Sequence, residues 1–437
     1  MLKNAGLPTL LFFLANLLIL GGLSVARAPL SIGQMLVVLS AIWFCFQSKK
    51  FPHFWADKYA LGLMLMFILP FASYFVTEDT ETWAKDLRIK LPFLFLPLAY
   101  SLAPSLSHLQ YRLLALLFVF VHGLIGIVSV VVYYLKPHAQ DFILHNGSIS
   151  MISHIDHIYF GIFLSFSAIW AFWFFVEKYF EPLKPEDDEE IPYIGLKGNT
   201  FRYLMLFFAI LNAIIIHFLT SRNGFLALYS GIFAFILYYL VKKRKYLLGA
   251  TAFLGTALMP FLAYHFVPSF HNRIDISRWD LEQYFVHHTA CDCSLTLRLI
   301  AWEKTVDIFK KSPIIGTGMA DVRKDLLASY SPEKLNMNIA PDLLPNEFLD
   351  SPHSQYLEHL AGLGGLGILS LCFALFYPLF MERNSISFPQ VAIIAIISAA
   401  LLTESALERQ WGIAFFITFA MLLRKKRSNS FNTIHHE

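Results

Sequence analysis

An all-α, polytopic membrane fold is predicted by three observations. Of 437 residues, 57% are hydrophobic and only 15% charged. The mean hydropathy is +0.56. The apolar residues, 43 Phe among them, gather into runs of membrane-crossing length. A soluble domain carries about 45–50% apolar and about 25% charged residues. An apolar stretch of about 20 residues crosses the ~30 Å hydrocarbon core as a helix, where only helices and closed barrels satisfy their backbone groups. Runs this long exclude a barrel.

Taken in order, twelve spans are expected at about 7 to 25, 29 to 47, 59 to 76, 91 to 106, 112 to 135, 158 to 177, 203 to 221, 224 to 241, 246 to 267, 357 to 380, 388 to 404 and 410 to 423. The fourth and last are short. Lys3 ahead of the first span and Ala26-Arg27-Ala28 behind it mimic a cleavable signal peptide; the segment is read as a retained span. Between spans six and seven, Pro185 and the acidic run Glu186 to Glu190 mark a solvated connection.

Lys and Arg in short loops stay in the cytoplasm. Lys49-Lys50, Lys242-Lys243-Arg244-Lys245 and Arg424-Lys425-Lys426-Arg427 anchor three loops or tails inside. Twelve spans satisfy all three anchors, put both termini inside and leave residues 268 to 356 outside. These blocks are orientation signals, so nucleic acid is not an expected partner. The organisation is therefore spans one to nine over 1–267, a large external loop with amphipathic helices over 268–356, and spans ten to twelve with a basic tail over 357–437.

Cys45 and Cys372 lie in spans and behave as small hydrophobes. His287, His288, Cys291 and Cys293 look metal-like, but they are packed more tightly than structural zinc spacings. A disulfide across a single residue is strained. Neither a metal nor a cofactor is expected.

The external loop opens on irregular sequence, Asn272 to Asp292, and then changes character. Leu295, Leu299, Trp302, Val306 and Phe309 recur at helical spacing up to Ser312-Pro313. Arg298 stands at the edge of that apolar stripe, one turn before Trp302. Gly316 and Gly318 are read as a tight turn. At the far end, Ser351 is a natural N-cap and Pro352 a natural first helical residue, which puts His353 in the first turn of the helix leading into span ten. The positive end of the helix dipole then favours a neutral imidazole, the form a general base needs. A third landmark, Thr220-Ser221-Arg222-Asn223-Gly224, separates spans seven and eight on the same side.

Arg222, Arg298 and His353 thus share one face. Guanidinium binds phosphate oxygens bidentately and keeps its charge. A lipid pyrophosphate carrying a sugar offers such oxygens at headgroup depth. His353 is placed to deprotonate an acceptor hydroxyl while the arginines stabilise the departing pyrophosphate. Each residue also has a plain reading: Arg222 as a snorkelling helix-end arginine, Arg298 as part of an interfacial helix, His353 as an ordinary polar residue. Secondary substrate-contact candidates on this face are Arg88 and Lys90 at the start of span four, His154 and His157 before span six, Tyr356 beside His353, and Glu404 in the last outer turn. A basic collar or a solvated turn is the alternative for these.

The chain resembles the O-antigen ligase and O-antigen polymerase superfamily of bacterial inner-membrane glycosyltransferases. The likeness rests on Ser221-Arg222-Asn223-Gly224, on Arg298-Leu299-Ile300-Ala301-Trp302 with Pro313 to Gly318 behind it, and on Pro352-His353-Ser354-Gln355-Tyr356-Leu357-Glu358 before a Gly-rich span. It covers roughly residues 200 to 420. The resemblance implies a helical fold with a large periplasmic loop between spans nine and ten, a periplasm-facing site in the inner membrane, and Arg222, Arg298 and His353 as the functional set. It also implies an undecaprenyl-pyrophosphate-linked glycan as donor and lipid A-core, another glycan or protein as acceptor. Ligase, repeat polymerase and protein O-oligosaccharyltransferase share this pattern. A lipid-linked sugar flippase is the competing class, as is a scaffold that makes no bond.

Overall fold

The computed structural model describes residues 6–48, 54–135, 151–153, 155–177, 195–219, 221–242, 244, 246–290, 294–330, 338–339 and 350–432. The chain is helical: α1 (Leu7–Val25), α2 (Arg27–Ser48), α3 (Lys58–Ala72), α4 (Thr80–Leu102), α5 (His108–Tyr134), α6 (His157–Val176), α7 (Gly198–Leu219), α8 (Arg222–Leu237), α9 (Tyr246–Phe266), α10 (Pro268–Phe285), α11 (Ser294–Lys311), α12 (Val322–Ser329), α13 (Gln355–Met381), α14 (Phe388–Thr403) and α15 (Gln410–Asn432). A two-residue parallel bridge joins Thr289–Ala290 to Asn338–Ile339.

Each expected span overlaps a helix. Among the described residues 8 helices are long and apolar enough to cross a membrane, or 9 if the bent pair Gly249–Phe266 and Phe270–Phe285 counts as one span; Phe388–Thr403 and Gln410–Arg424 are shorter apolar helices. The protein is therefore a multi-pass membrane protein. The expected fourth span departs most. Its helix begins eleven residues earlier than the apolar run, through a half that carries Glu81, Lys85, Asp86 and Arg88.

Local signals set several starts. Asp57, Asp79, Ser107, Asp156 and Ser221 cap α3, α4, α5, α6 and α8 with side-chain oxygens, and Ser107 with Gln110 forms a reciprocal box. The core is aromatic. Phe118 of α5, Phe166 and Trp170 of α6, and Phe415 and Phe419 of α15 are buried with ring centroids 4.6 to 6.4 Å apart. Edge-on and tilted pairings dominate, the geometry that ring quadrupoles favour. The first helix is built into this bundle: Ser24 Oγ lies 2.6 Å from His122 Nε2, and Tyr100 donates to Asn16 at 2.8 Å.

Three local expectations are corrected. The stretch read as irregular from Asn272 is helical through Phe285. It is less apolar than α11, which hides it in the sequence, and tertiary anchors secure it. Pro268 sits in the first turn, where its fixed φ suits a helix, while Phe270 packs 4.8 Å from Phe225 and 5.8 Å from His217.

Second, the Pro313 to Gly318 segment is more than a turn. Helix α13 breaks at Gly364 (φ 63, ψ −151). The groups freed by the break bond to this segment: Thr317 and Gly318 N–H donate to the Ala361 and Gly362 carbonyls (3.0 Å each), and Gly365 and Leu366 N–H donate to Pro313 and Ile314 (2.9 and 3.3 Å). Non-helical backbone inside a bundle survives only when so satisfied. A Cβ on Gly364 would stand 2.4 Å from the Ile314 carbonyl carbon, so glycine is needed for both its φ and its clearance.

Third, α13 starts at Gln355 with Ser354 as N-cap, so His353 lies before the helix. Ser351 Oγ does accept a backbone N–H, but it is that of His353 at 3.2 Å, which closes a turn instead of capping a helix. His353 adopts φ 47.

Candidate active site

Four helix ends meet beside the start of α13. Arg222 opens α8. Its guanidinium donates to Ser294 Oγ at 2.8 Å and to Asp280 Oδ2 at 3.2 Å. Asp280 is 2% exposed, accepts also from the Leu295 N–H at 3.4 Å, and takes the Thr296 hydroxyl on its carbonyl at 2.9 Å. A carboxylate at the first turn of α11 suits that helix dipole. Arg222 and the N-terminus of α11 are thereby held by one buried acid.

One turn into α11 stands Arg298, buried and 8% exposed. Burial pulls its pKa down, Glu404 opposes that shift and Arg222 adds to it. A further turn on, Trp302 Nε1 donates to the Pro352 carbonyl at 2.8 Å. That bond fixes the His353 loop against the helix bearing Arg298.

The fourth element is the C-terminus of α14. Thr403 donates to Asn223 Oδ1 at 2.6 Å, which ties it to the start of α8. The next residue, Glu404, has a side chain 14% exposed, and its Oε2 lies 4.0 Å from His353 Nδ1. That separation is too long for a hydrogen bond, and Oε2 has no hydrogen-bond partner among the described residues. Burial raises the Glu404 pKa to about 7, against the lowering effect of Arg298. A carboxylate thus faces the His353 ring, where the positive end of a helix dipole was expected.

Arg222, Arg298, His353 and Glu404, from separate stretches of sequence, thus gather at one place. His157 joins them at the start of α6, 3.2 Å from Asp156 and within electrostatic reach of Arg273 and Arg298. The other candidates stand apart. Lys90 is 2% exposed and donates to both Glu408 oxygens at 2.6 Å; Gln355 bonds the same carboxylate at 2.7 Å. Its charge is spent bracing the last outer turn. Tyr356 donates to the Ser398 carbonyl at 3.1 Å. Arg88 is exposed and lines a cleft of about 890 Å³ with Ser31, Met35, Phe95 and Gln410. His154, Cys291 and Cys293 lie outside the described residues.

Sequence reasoning missed Arg273, Asp280 and Asn223. Arg273 and Asp280 fall in the stretch read as irregular; Pro268 at a helix start and their seven-residue spacing were the available signals. Asn223 was read only as part of the landmark between spans seven and eight.

Residues 207–372 match the family model described as O-Antigen ligase, which supports the resemblance to the O-antigen ligase and polymerase superfamily and a glycosyltransferase-type enzyme. Arg222, Arg298 and His353 fall inside the matched region. Comparison with curated proteins gave no match.

Proposed function

We propose that this chain acts as an O-antigen ligase-type enzyme, transferring a glycan from a polyprenyl-pyrophosphate carrier to the hydroxyl of lipid A-core, with inversion, on the periplasmic face of the inner membrane. The observation that carries this reading is the convergence of Arg222, Arg298, His353 and Glu404 at one cluster of helix ends. The acceptor hydroxyl attacks the anomeric carbon as the bond from that carbon to the pyrophosphate oxygen breaks. His353 takes the hydroxyl proton, and the electron pair leaves with the pyrophosphate. Arg222 and Arg298 bind the charge that develops there, and they are already aligned by Ser294, Asp280 and the packing of α11. Glu404 steadies the imidazolium, closing its 4.0 Å gap as the substrates tighten the site.

Two arginines, an imidazole and a carboxylate gathered at one group of helix ends favour transfer over flipping, because together they supply a general base and donors for a departing diphosphate. The test is purified protein with an undecaprenyl-pyrophosphate-linked glycan and lipid A-core, separately and with free glycan or protein as acceptor. Glycan joined to lipid A-core is the expected product. Elongated carrier-bound glycan would reassign the protein as a repeat polymerase, labelled protein as an O-oligosaccharyltransferase. Absence of transfer to every acceptor would remove the enzymatic reading.

A further inference from the structure

Three guanidiniums, Arg222, Arg273 and Arg298, lie within electrostatic reach of one another, with the carboxylates of Asp280 and Glu404 acting on them. Arg222 uses two of its nitrogens on Ser294 and Asp280. Arg273 lies on α10 seven residues before Asp280, two helical turns and about 10 Å along the same face. Phe270 secures the start of α10 against α7 and α8, and Asp280 secures its other end against α11. Arg273 is held between these anchors, half-buried, within electrostatic reach of Arg222, Arg298 and His157. The Nε atoms of Arg222 and Arg273 are both buried with no hydrogen-bond partner among the described residues.

The charges do not close. Asp280 is committed to Arg222, and Glu404, which faces Arg298, holds its proton up to about pH 7. Arg273 has the lowered pKa, about 10, expected of a guanidinium that is buried and set among others of its kind. Like charges withdrawn from water are costly unless an anion joins them. The ligand that balances such a cluster carries two or more negative charges on closely spaced oxygens.

We infer that Arg273 is a third diphosphate-binding residue of this site, and that it makes the site prefer a lipid diphosphate over a lipid monophosphate. This rests on the transfer reading above. With two of Arg222's nitrogens held by Ser294 and Asp280, Arg273 adds a further guanidinium to the cluster, and Asp280 acts as the positioning residue for Arg222 and the start of α11.

The test measures binding of undecaprenyl diphosphate and undecaprenyl monophosphate to the full-length protein in detergent, with the melting temperature followed in parallel. Arg273→Ala is expected to weaken diphosphate binding about ten- to hundredfold, the effect of a charge-assisted bond, and to leave monophosphate binding and the melting temperature unchanged. Arg273→Lys, which keeps the charge without the fork, is expected to recover part of the loss. Should Arg273→Ala fold poorly, Arg273→Gln carries the same expectation. Wild-type diphosphate affinity in these variants would overturn the inference, as would an equal loss of both ligands with a lowered melting temperature. Arg222→Ala and Arg298→Ala separate the two levels. If they weaken diphosphate binding and Arg273→Ala does not, this inference alone fails; if all three are silent, the transfer reading fails with it.

Discussion

A charged cluster lies beside each end of helix α13, and the two clusters differ in balance. At one end Arg424 donates to Asp57 Oδ2 at 2.7 Å and to Glu382 Oε1 at 2.8 Å. Asp57 also caps α3 and takes the Ser101 hydroxyl. One cation meets two carboxylates there, and the group locks three chain segments together. At the other end Arg222, Arg273 and Arg298 outnumber Asp280 and Glu404. Arginine serves both ends, and the company it keeps separates a clamp from a binding site. An arginine held between two carboxylates stabilises the fold by itself, whereas arginines that outnumber their carboxylates invite an anionic ligand.

The widest separation between the two ends is expected from His353→Ala, which should cut transfer by about 10²–10⁴ while protein level and melting stay near normal, because a general base is lost. Normal turnover in this variant would place the proton acceptor elsewhere. Arg298→Lys should follow at about 10²-fold in kcat/KM, since charge persists but the bidentate fork does not; a loss confined to thermal stability would make Arg298 another clamp. Glu404→Gln should cost about tenfold, the worth of one charge-assisted contact, and should alter the pH profile. With a pKa of about 7, Glu404 is neutral below that pH and ionised above it, so wild-type kcat/KM should climb through neutrality on this account. The amide variant should lose that limb; an unchanged profile would detach Glu404 from catalysis. The smallest effect on chemistry belongs to the clamp. Arg424→Ala should lower stability by about 1–3 kcal/mol and leave kcat of the folded fraction at the wild-type value, checked by thermal melts beside steady-state assays.

Much of the site was legible in sequence because its residues stand at punctuation. Arg222 follows an N-cap, Arg298 lies on a helix whose apolar residues recur at helical spacing, and His353 and Glu404 flank predicted spans. Lys90 illustrates the opposite case. Its position at a span start is compatible with phosphate contact, yet it is bonded to Glu408, a partner 318 residues away. No local pattern announces such a pairing.

The amino-acid sequence by itself determined a helical membrane protein and the order of the residues now found together, since apolar run length, caps and prolines act over a few residues. Tertiary structure alone decided that Arg273 and Asp280 ride on a helix, that α13 breaks at Gly364 to receive the Pro313 to Gly318 segment, and that His353 precedes its helix and faces Glu404. Those outcomes depend on distant backbone groups and buried charges finding partners across the bundle, and such long-range satisfaction leaves no periodic trace in the chain.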